Sequence, residues 1–249
     1  GGKVMMTDLL GTVCNNLGDF IIGAKYTSAD LAYYTKGKQL PTLIKSNIYT
    51  SLISVLFPGM SKINDEGEKV KALSRKSIRV LTYIIYPLMT GLLVVAEPLT
   101  IFLYTEKWIA MVPFVWVVCI EAIFSVPGTI TLQSVKAMGY SDKMLKAEIF
   151  KKPILILSII IAMQYGVMAI ALTLPLNTLL EFVINGVMAH KTVDYSIREQ
   201  LWDCLPATIM SVLMGAGVLL VAHLPLGLGT IALLFVEILV GIVIYVLLS

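Results

Sequence analysis

Nine polar residues interrupt two apolar runs that are each long enough to cross a bilayer. Asp8, Thr12, Asn15 and Asp19 fall at i, i+4, i+7 and i+11, a spacing that puts all four on one helix face. Tyr34, Lys38, Thr42, Lys45 and Tyr49 follow at i, i+4, i+8, i+11 and i+15, which again reads as one stripe. A charged group at the centre of a membrane costs about 2.5–3.5 kcal/mol on insertion scales, so these side chains must face protein or water. Two such stripes on consecutive antiparallel helices imply either the wall of a hydrated cavity or groups that satisfy one another inside a bundle. Counting from the shared turn near 24–28 brings Asp19 level with Lys38 and sets Asn15, Thr12 and Lys45 deeper. An Asp19–Lys38 pair is expected if the two helices face each other. The same two spans hold too few acids for all their lysines, and a lysine left over in a low-dielectric cavity suits a phosphate or another anionic head. The chemistry on offer is binding.

Catalytic signatures are missing. No phosphate-binding G-x-x-x-x-G-K-[ST] loop, dinucleotide G-x-G-x-x-G, D-x-D pair or H-E-x-x-H helix occurs. The two histidines, His190 and His223, fall at expected membrane edges, and Cys14, Cys119 and Cys204 are too far apart for a metal site or a disulfide framework. No cofactor or metal is called for. Glu121, Glu181 and Glu237 are the other acids within apolar runs. Glu121 and Glu181 are candidates to carry a coupling proton or cation, whereas Glu237, in the last run, reads as a packing residue. Glu148 stands beside Lys146, Lys151 and Lys152 at the start of a run and reads as a surface ion-pair partner worth little. Pro87, Pro127 with Gly128, and Pro175 interrupt three runs and are hinge candidates, since each removes a ladder hydrogen bond and bends its helix.

The elements that must position these groups follow from composition. Of 249 residues, 57% are hydrophobic and 14% charged, against about 25% charged in soluble domains, and the mean hydropathy is +0.86. A chain this poor in charge cannot cover a water-facing surface, which excludes a soluble enzyme, and a net charge of +3 gives nucleic-acid binding no support. Eight runs approach the ~20 residues that a membrane helix needs: 4–23, 29–57, 78–96, 109–135, 145–163, 166–189, 203–222 and 227–248. The fold class is all-α, a polytopic helical membrane protein, because strands in lipid would need the alternating pattern of a closed barrel. With Lys3, segments 58–79, 136–152 and 190–202 hold fourteen of the 19 basic residues. Alternate loops are therefore basic, which predicts both chain ends on the cytoplasmic side. The stretch NDEGEKVKALSRKSIRVL predicts an amphipathic helix running into the third span. The opening Gly1-Gly2-Lys3, with no Met and a polar first span, reads as the continuation of a longer chain.

Four pieces in order, YTSADLAYYTKGKQLP, SVLFPGMSKINDE, YPLMTGLLVVAEPLTIFLYTEKW and QSVKAMGYSDKMLKAEIFKKP, resemble the second half of Wzx-type polysaccharide (O-antigen) flippases, members of the multidrug/oligosaccharidyl-lipid/polysaccharide exporter superfamily. The resemblance implies two six-helix lobes around a central cavity, often followed by two further helices. It implies a bacterial inner-membrane transporter, not an enzyme, that moves undecaprenyl-diphosphate-linked oligosaccharide between leaflets by alternating access. On that reading residues 1–189 are the second six-helix lobe and 190–249 the two additional helices. The partners are then the lipid-linked sugar, the bilayer and an N-terminal lobe supplied by the same gene or a separate chain. A cationic cavity is a family trait that Lys38 and Lys45 match; Lys36 lies on another face. The rivals are a cation-coupled multidrug exporter, a membrane scaffold of a polysaccharide assembly complex, and a membrane-embedded glycosyltransferase or polymerase.

Overall fold

The computed structural model describes residues 16–63, 66–224 and 229–249. Among them there is no strand, and the protein is an all-α polytopic membrane protein. Helix α1 occupies 16–25 of the described residues. It is followed by α2 (Ser28–Ser61), α3 (Gly67–Val94), a short α4 (Ala96–Tyr104), a 3-10 segment (Glu106–Met111), α5 (Val112–Ala137), α6 (Ser141–Ala162), α7 (Val167–Val193), α8 (Ile197–Ala222) and α9 (Thr230–Leu248). Local chemistry fixes several starts. Thr27 caps α2 by accepting from the Asp30 amide at 3.1 Å while the Asp30 carboxylate accepts from the Thr27 amide, and Ser196 with Glu199 repeats this reciprocal arrangement at α8. The connections after α5 and α6 turn through Gly139 and Gly166, at φ +81° and +107°, backbone that favours a residue without a Cβ.

Six of these helices are long and apolar enough to cross a membrane by length and composition: α2, α3, the 3-10 segment continued by α5, α7, α8 and α9. The fifth expected run, 145–163, is a 22-residue helix about 33 Å long at 1.5 Å per residue. It differs from the others because Lys146, Glu148, Lys151 and Lys152 fall within its first twelve residues. The expected loop at 97–108 is helical instead, built of α4 and the 3-10 segment. From Gly67 onward, the amphipathic stretch expected before the third span is part of one continuous helix, α3, whose Val70, Ile78 and Leu81 are fully buried.

Helix α5 is central and packs against α2, α3 and α7; its Cys119, Ala122, Val126 and Ile130 are wholly buried. Two glycines let α5 lie close to its neighbours. A Cβ on Gly37 would lie 2.7 Å from Phe114 Cβ and 2.8 Å from the Met111 carbonyl, and one on Gly128 would lie 3.3 Å from Phe182 Cα. Gly37→Ala must therefore push α2 off α5. Overpacking of this kind costs about 1–3 kcal/mol, which thermal unfolding in detergent will register as a lowered Tm. Proline is not confined to the three hinge candidates: α2 contains Pro41 and Pro58, α6 Pro153 and α8 Pro206, besides Pro87, Pro127 and Pro175.

The last two helices lie on the far side of α3. Helix α8 packs on α3, and α9 on α8. The α3–α8 seam is fastened by Asp203, whose side chain is 1% exposed. It accepts from Arg75 Nε at 2.8 Å, Arg79 Nη2 at 2.6 Å and the Tyr195 hydroxyl at 2.9 Å. Lys71 and Glu199 add a second bridge at 2.9 Å.

Candidate functional site

A cavity of about 410 Å³ opens between α1, α2, α5, α6 and α7. Along α2, the turns 34, 38, 42 and 45 present Tyr34, Lys38, Thr42 and Lys45 to it, so most of the stripe expected on this helix shares one wall. Lys38 Nζ lies 2.5 Å from Asp19 Oδ1 and 4.3 Å from the centre of the Tyr34 ring. The helix-depth count had placed these two charges at one level, and the structure brings them together. Tyr34 is buried and rests edge-on against Phe114, with ring centroids 5.6 Å apart.

Lys45 is not left over. Its partner comes from a third span: Glu121 on α5 accepts from Lys45 Nζ at 2.6 Å, and its other oxygen accepts from the Thr178 hydroxyl at 3.3 Å. The first two spans do hold too few acids for their lysines, and the missing partner is supplied by α5, which a count over two spans leaves out. Tyr49 departs from the stripe: its hydroxyl meets Ser125 of α5 at 2.8 Å and its ring packs on the main core, away from the cavity lining. By rotation it stays within the sector of the stripe, but it lies about 6 Å further along α2 than Lys45, the last residue of this helix that lines the cavity. Asp8, Thr12 and Asn15 lie outside the described residues. Of the coupling candidates, Glu121 and Glu181 both line the cavity, and Glu181 makes no ion pair among the described residues. Pro127 and Pro175 are buried inside α5 and α7, and Pro87 sits in α3, which does not line the cavity.

The reading of Glu148 as a surface residue is corrected. Glu148, Lys151 and Lys152 are 7%, 3% and 8% exposed and form a buried triad on the α6 wall. Glu148 pairs with Lys151 through one oxygen and stands 3.4 Å from Lys152 through the other. Helix α7 covers them: Lys151 donates to Asn185 Oδ1 at 3.5 Å, and Asn185 Nδ2 donates to the Gly128 carbonyl of α5 at 3.2 Å. The sequence carried a signal for this wall in Thr173, Asn177, Glu181 and Asn185, which recur every four residues along α7 by the same logic that identified the α2 stripe. Counting Asp19, four lysines face four carboxylates around the cavity. Positive charge exceeds negative only at the triad, where one carboxylate holds two lysines. An anion entering the cavity meets donors already aimed inward and must displace carboxylates to use them.

Residues 1–113 match the family model described as polysaccharide biosynthesis protein. A curated relative, the lipopolysaccharide biosynthesis protein WzxC of Escherichia coli (strain K12), is 29% identical over 136 residues, 55% of this chain and 27% of that protein. An uncharacterized membrane protein in the cps region of Klebsiella pneumoniae is 30% identical over 108 residues, 43% of this chain and 20% of that protein. Among solved structures, the lipid II flippase MurJ in an inward closed conformation superposes with a TM-score of 0.80 at 18% identity, covering 98% of this chain and 51% of that one. This last likeness is one of fold. The chain thus spans about half of that flippase and matches about a quarter or less of the curated relatives' lengths. Together these matches support the resemblance to Wzx-type polysaccharide flippases.

Proposed function

We propose that this chain, a relative of Wzx-type polysaccharide flippases, forms the second lobe and the two additional helices of a transporter that flips undecaprenyl-diphosphate-linked oligosaccharide across the bacterial inner membrane. On this reading residues 1–189 are the lobe, 190–249 the added helices, and an N-terminal lobe closes the other side of the cavity. The chain then works as a transporter and not as an enzyme. Its basic end, carrying Lys62, Lys136, Lys143 and Lys191, faces the cytoplasm by the rule that Lys and Arg mark that side.

The observation that carries the reading is the polar cavity at the depth of the spans, walled by four lysines each held by a carboxylate. A buried lysine without a partner is costly, so the carboxylates keep the cavity stable when it is empty. A diphosphate offers charge-assisted hydrogen bonds at least as strong and can take the lysines over. A carboxylate released in this way, Glu121 above all, is then available to a proton or another cation, which links the substrate to a coupling ion. Pro127 and Pro175, in the helices that line the cavity, are the hinges we assign to the rocking of this wall; Pro87 bends α3 behind it. Mutually satisfied pairs with no space between them would instead favour a scaffold, and the cavity of about 410 Å³ favours transport.

The test is complementation of a strain that lacks its polysaccharide flippase, using the full-length gene. Wild type is expected to restore surface polysaccharide and clear lipid-linked sugar from the inner leaflet. Lys38→Ala/Lys45→Ala is expected to lower export about tenfold, because charged hydrogen bonds are worth about 1.5–3 kcal/mol and each of these lysines is already neutralised one to one. Normal membrane abundance of wild type with persistent accumulation of the lipid-linked sugar overturns the proposal.

A further inference from the structure

We propose that the lipid-facing side of α3, at Arg75, Lys76 and Arg79, is a binding site for the phosphate headgroup of an anionic phospholipid. Beyond its first turn, where Glu68 and Lys69 are exposed, helix α3 carries one exposed stripe: Ala72, Lys76, Arg79, Val80, Tyr83, Ile84 and Leu88. The stripe changes character within a single turn. At Lys76 and Arg79 it is cationic, and from Val80 onward it is largely apolar, with Val80, Tyr83 and Ile84 each 41% exposed and Leu88 45%; the Tyr83 ring lies 5.3 Å from that of Tyr245 on α9. That transition marks the height at which a membrane surface gives way to hydrocarbon, where headgroup phosphates lie.

The cations there are positioned before any ligand arrives. Asp203, buried behind them, accepts from Nε and Nη2 of both Arg75 and Arg79. Each guanidinium is thereby oriented, and its remaining edge is turned away from the carboxylate. Arg79 is 61% exposed and Arg75 37%, against 1% for Asp203. A planar guanidinium can serve a carboxylate on one edge and a phosphate on the other, which an ammonium cannot do with the same geometry. One carboxylate cannot neutralise two arginines, and Lys76, one residue beyond Arg75, makes no ion pair among the described residues. A recess of about 390 Å³ lined by Ala72, Arg75, Lys76, Arg79 and Val80 thus holds three cations and no acid of its own, above an apolar track for an acyl chain. Charge complementarity selects an anionic lipid over a zwitterionic one. Helix α3 does not line the central cavity, so this site is separate from the proposed transport path and stands whether or not that path is right.

The experiment is a titration of the purified protein in detergent with dioleoyl phosphatidylglycerol, dioleoyl phosphatidylcholine or inorganic phosphate, with bound lipid counted by native mass spectrometry. A juxtamembrane cation is worth about 1 kcal/mol toward an anionic lipid surface, or about fivefold in affinity. Phosphatidylglycerol is expected to bind at least tenfold more tightly than phosphatidylcholine. Lys76→Gln, which leaves the Asp203 network untouched, is expected to weaken it about fivefold, and Lys76→Gln/Arg79→Gln about 25-fold, with phosphatidylcholine unaffected. Arg75 still satisfies Asp203 in the double variant, and a thermal melt run alongside separates lost binding from lost folding. Lys143→Gln/Lys146→Gln, which removes two exposed cations elsewhere at the same end, should leave binding unchanged. Equal binding of the two lipids overturns the proposal, as does full retention by the α3 variants. An equal effect of the α6 variant would reduce the site to diffuse attraction, and binding of inorganic phosphate with the same variant dependence would make it a site for soluble phosphate.

Discussion

Lys151→Met/Lys152→Met should abolish export, with a loss on the order of 100-fold, and should do so more completely than the paired change at Lys38 and Lys45. The two α2 lysines are each matched by one carboxylate, Asp19 and Glu121, whereas Glu148 alone serves both α6 lysines. The local excess of positive charge, and therefore the place where a diphosphate gains most, is on α6. Losing two charge-assisted hydrogen bonds of about 1.5–3 kcal/mol each accounts for a factor of that size. The double variant leaves Glu148, 7% exposed, without a cation, so lost export and lost folding coincide. A triple variant, Glu148→Met/Lys151→Met/Lys152→Met, removes that ambiguity. Replacing a whole buried ion cluster by apolar side chains of similar volume is often neutral or stabilising by about 1–4 kcal/mol. The triple variant should therefore reach the membrane at wild-type abundance, melt no lower than wild type, and still leave lipid-linked sugar in the inner leaflet. If it exports normally, the triad is a packing device and the anion site lies elsewhere.

That triad also marks where reading the chain residue by residue stops working. Helices and their order followed from apolar runs, because the length needed to cross hydrocarbon is a property of each segment alone. The α2 stripe followed from periodicity, and the Asp19–Lys38 contact from counting depth across one turn, a distance of 19 residues. Lys45 and Glu121 are 76 residues apart, and Arg75 and Asp203 are 128 apart; no local pattern ties either pair together. Glu148 with Lys151 and Lys152 was misjudged for a related reason. A lysine-rich start to an apolar run resembles an interfacial entrance, and only the packing of α7 over it, through Asn185, converts it into an interior. The burial and partners of these groups are features of the fold that no single segment contains.

Asp203→Ala is expected to lower the stability of the fold by about 3 kcal/mol and to loosen α8 from α3. Removing one member of a buried ion cluster costs about 3–5 kcal/mol when the remaining charges stay buried. Here the arginines are partly relieved, because Arg75 and Arg79 are 37% and 61% exposed and can turn to water or headgroups. Tyr195 cannot: it is 0% exposed, its hydroxyl donates to Asp203 at 2.9 Å, and a buried donor left without an acceptor costs about 1–3 kcal/mol. The lost charged bonds across the seam supply the rest. A Tyr195→Phe change made together with Asp203→Ala should therefore recover part of the loss, since it deletes the stranded hydroxyl and leaves the ring in place. The measurement is a double-mutant cycle in thermal melts, with protease accessibility of the 194–196 connection as the structural readout. Partial recovery and increased cleavage in the single variant identify Asp203 as the fastener of the added helices. A melt at the wild-type temperature would mean that the Lys71–Glu199 bridge and apolar contacts hold the seam alone. Because α9 packs chiefly on α8, whatever holds α8 to α3 also decides whether the last two helices travel with the lobe when it moves.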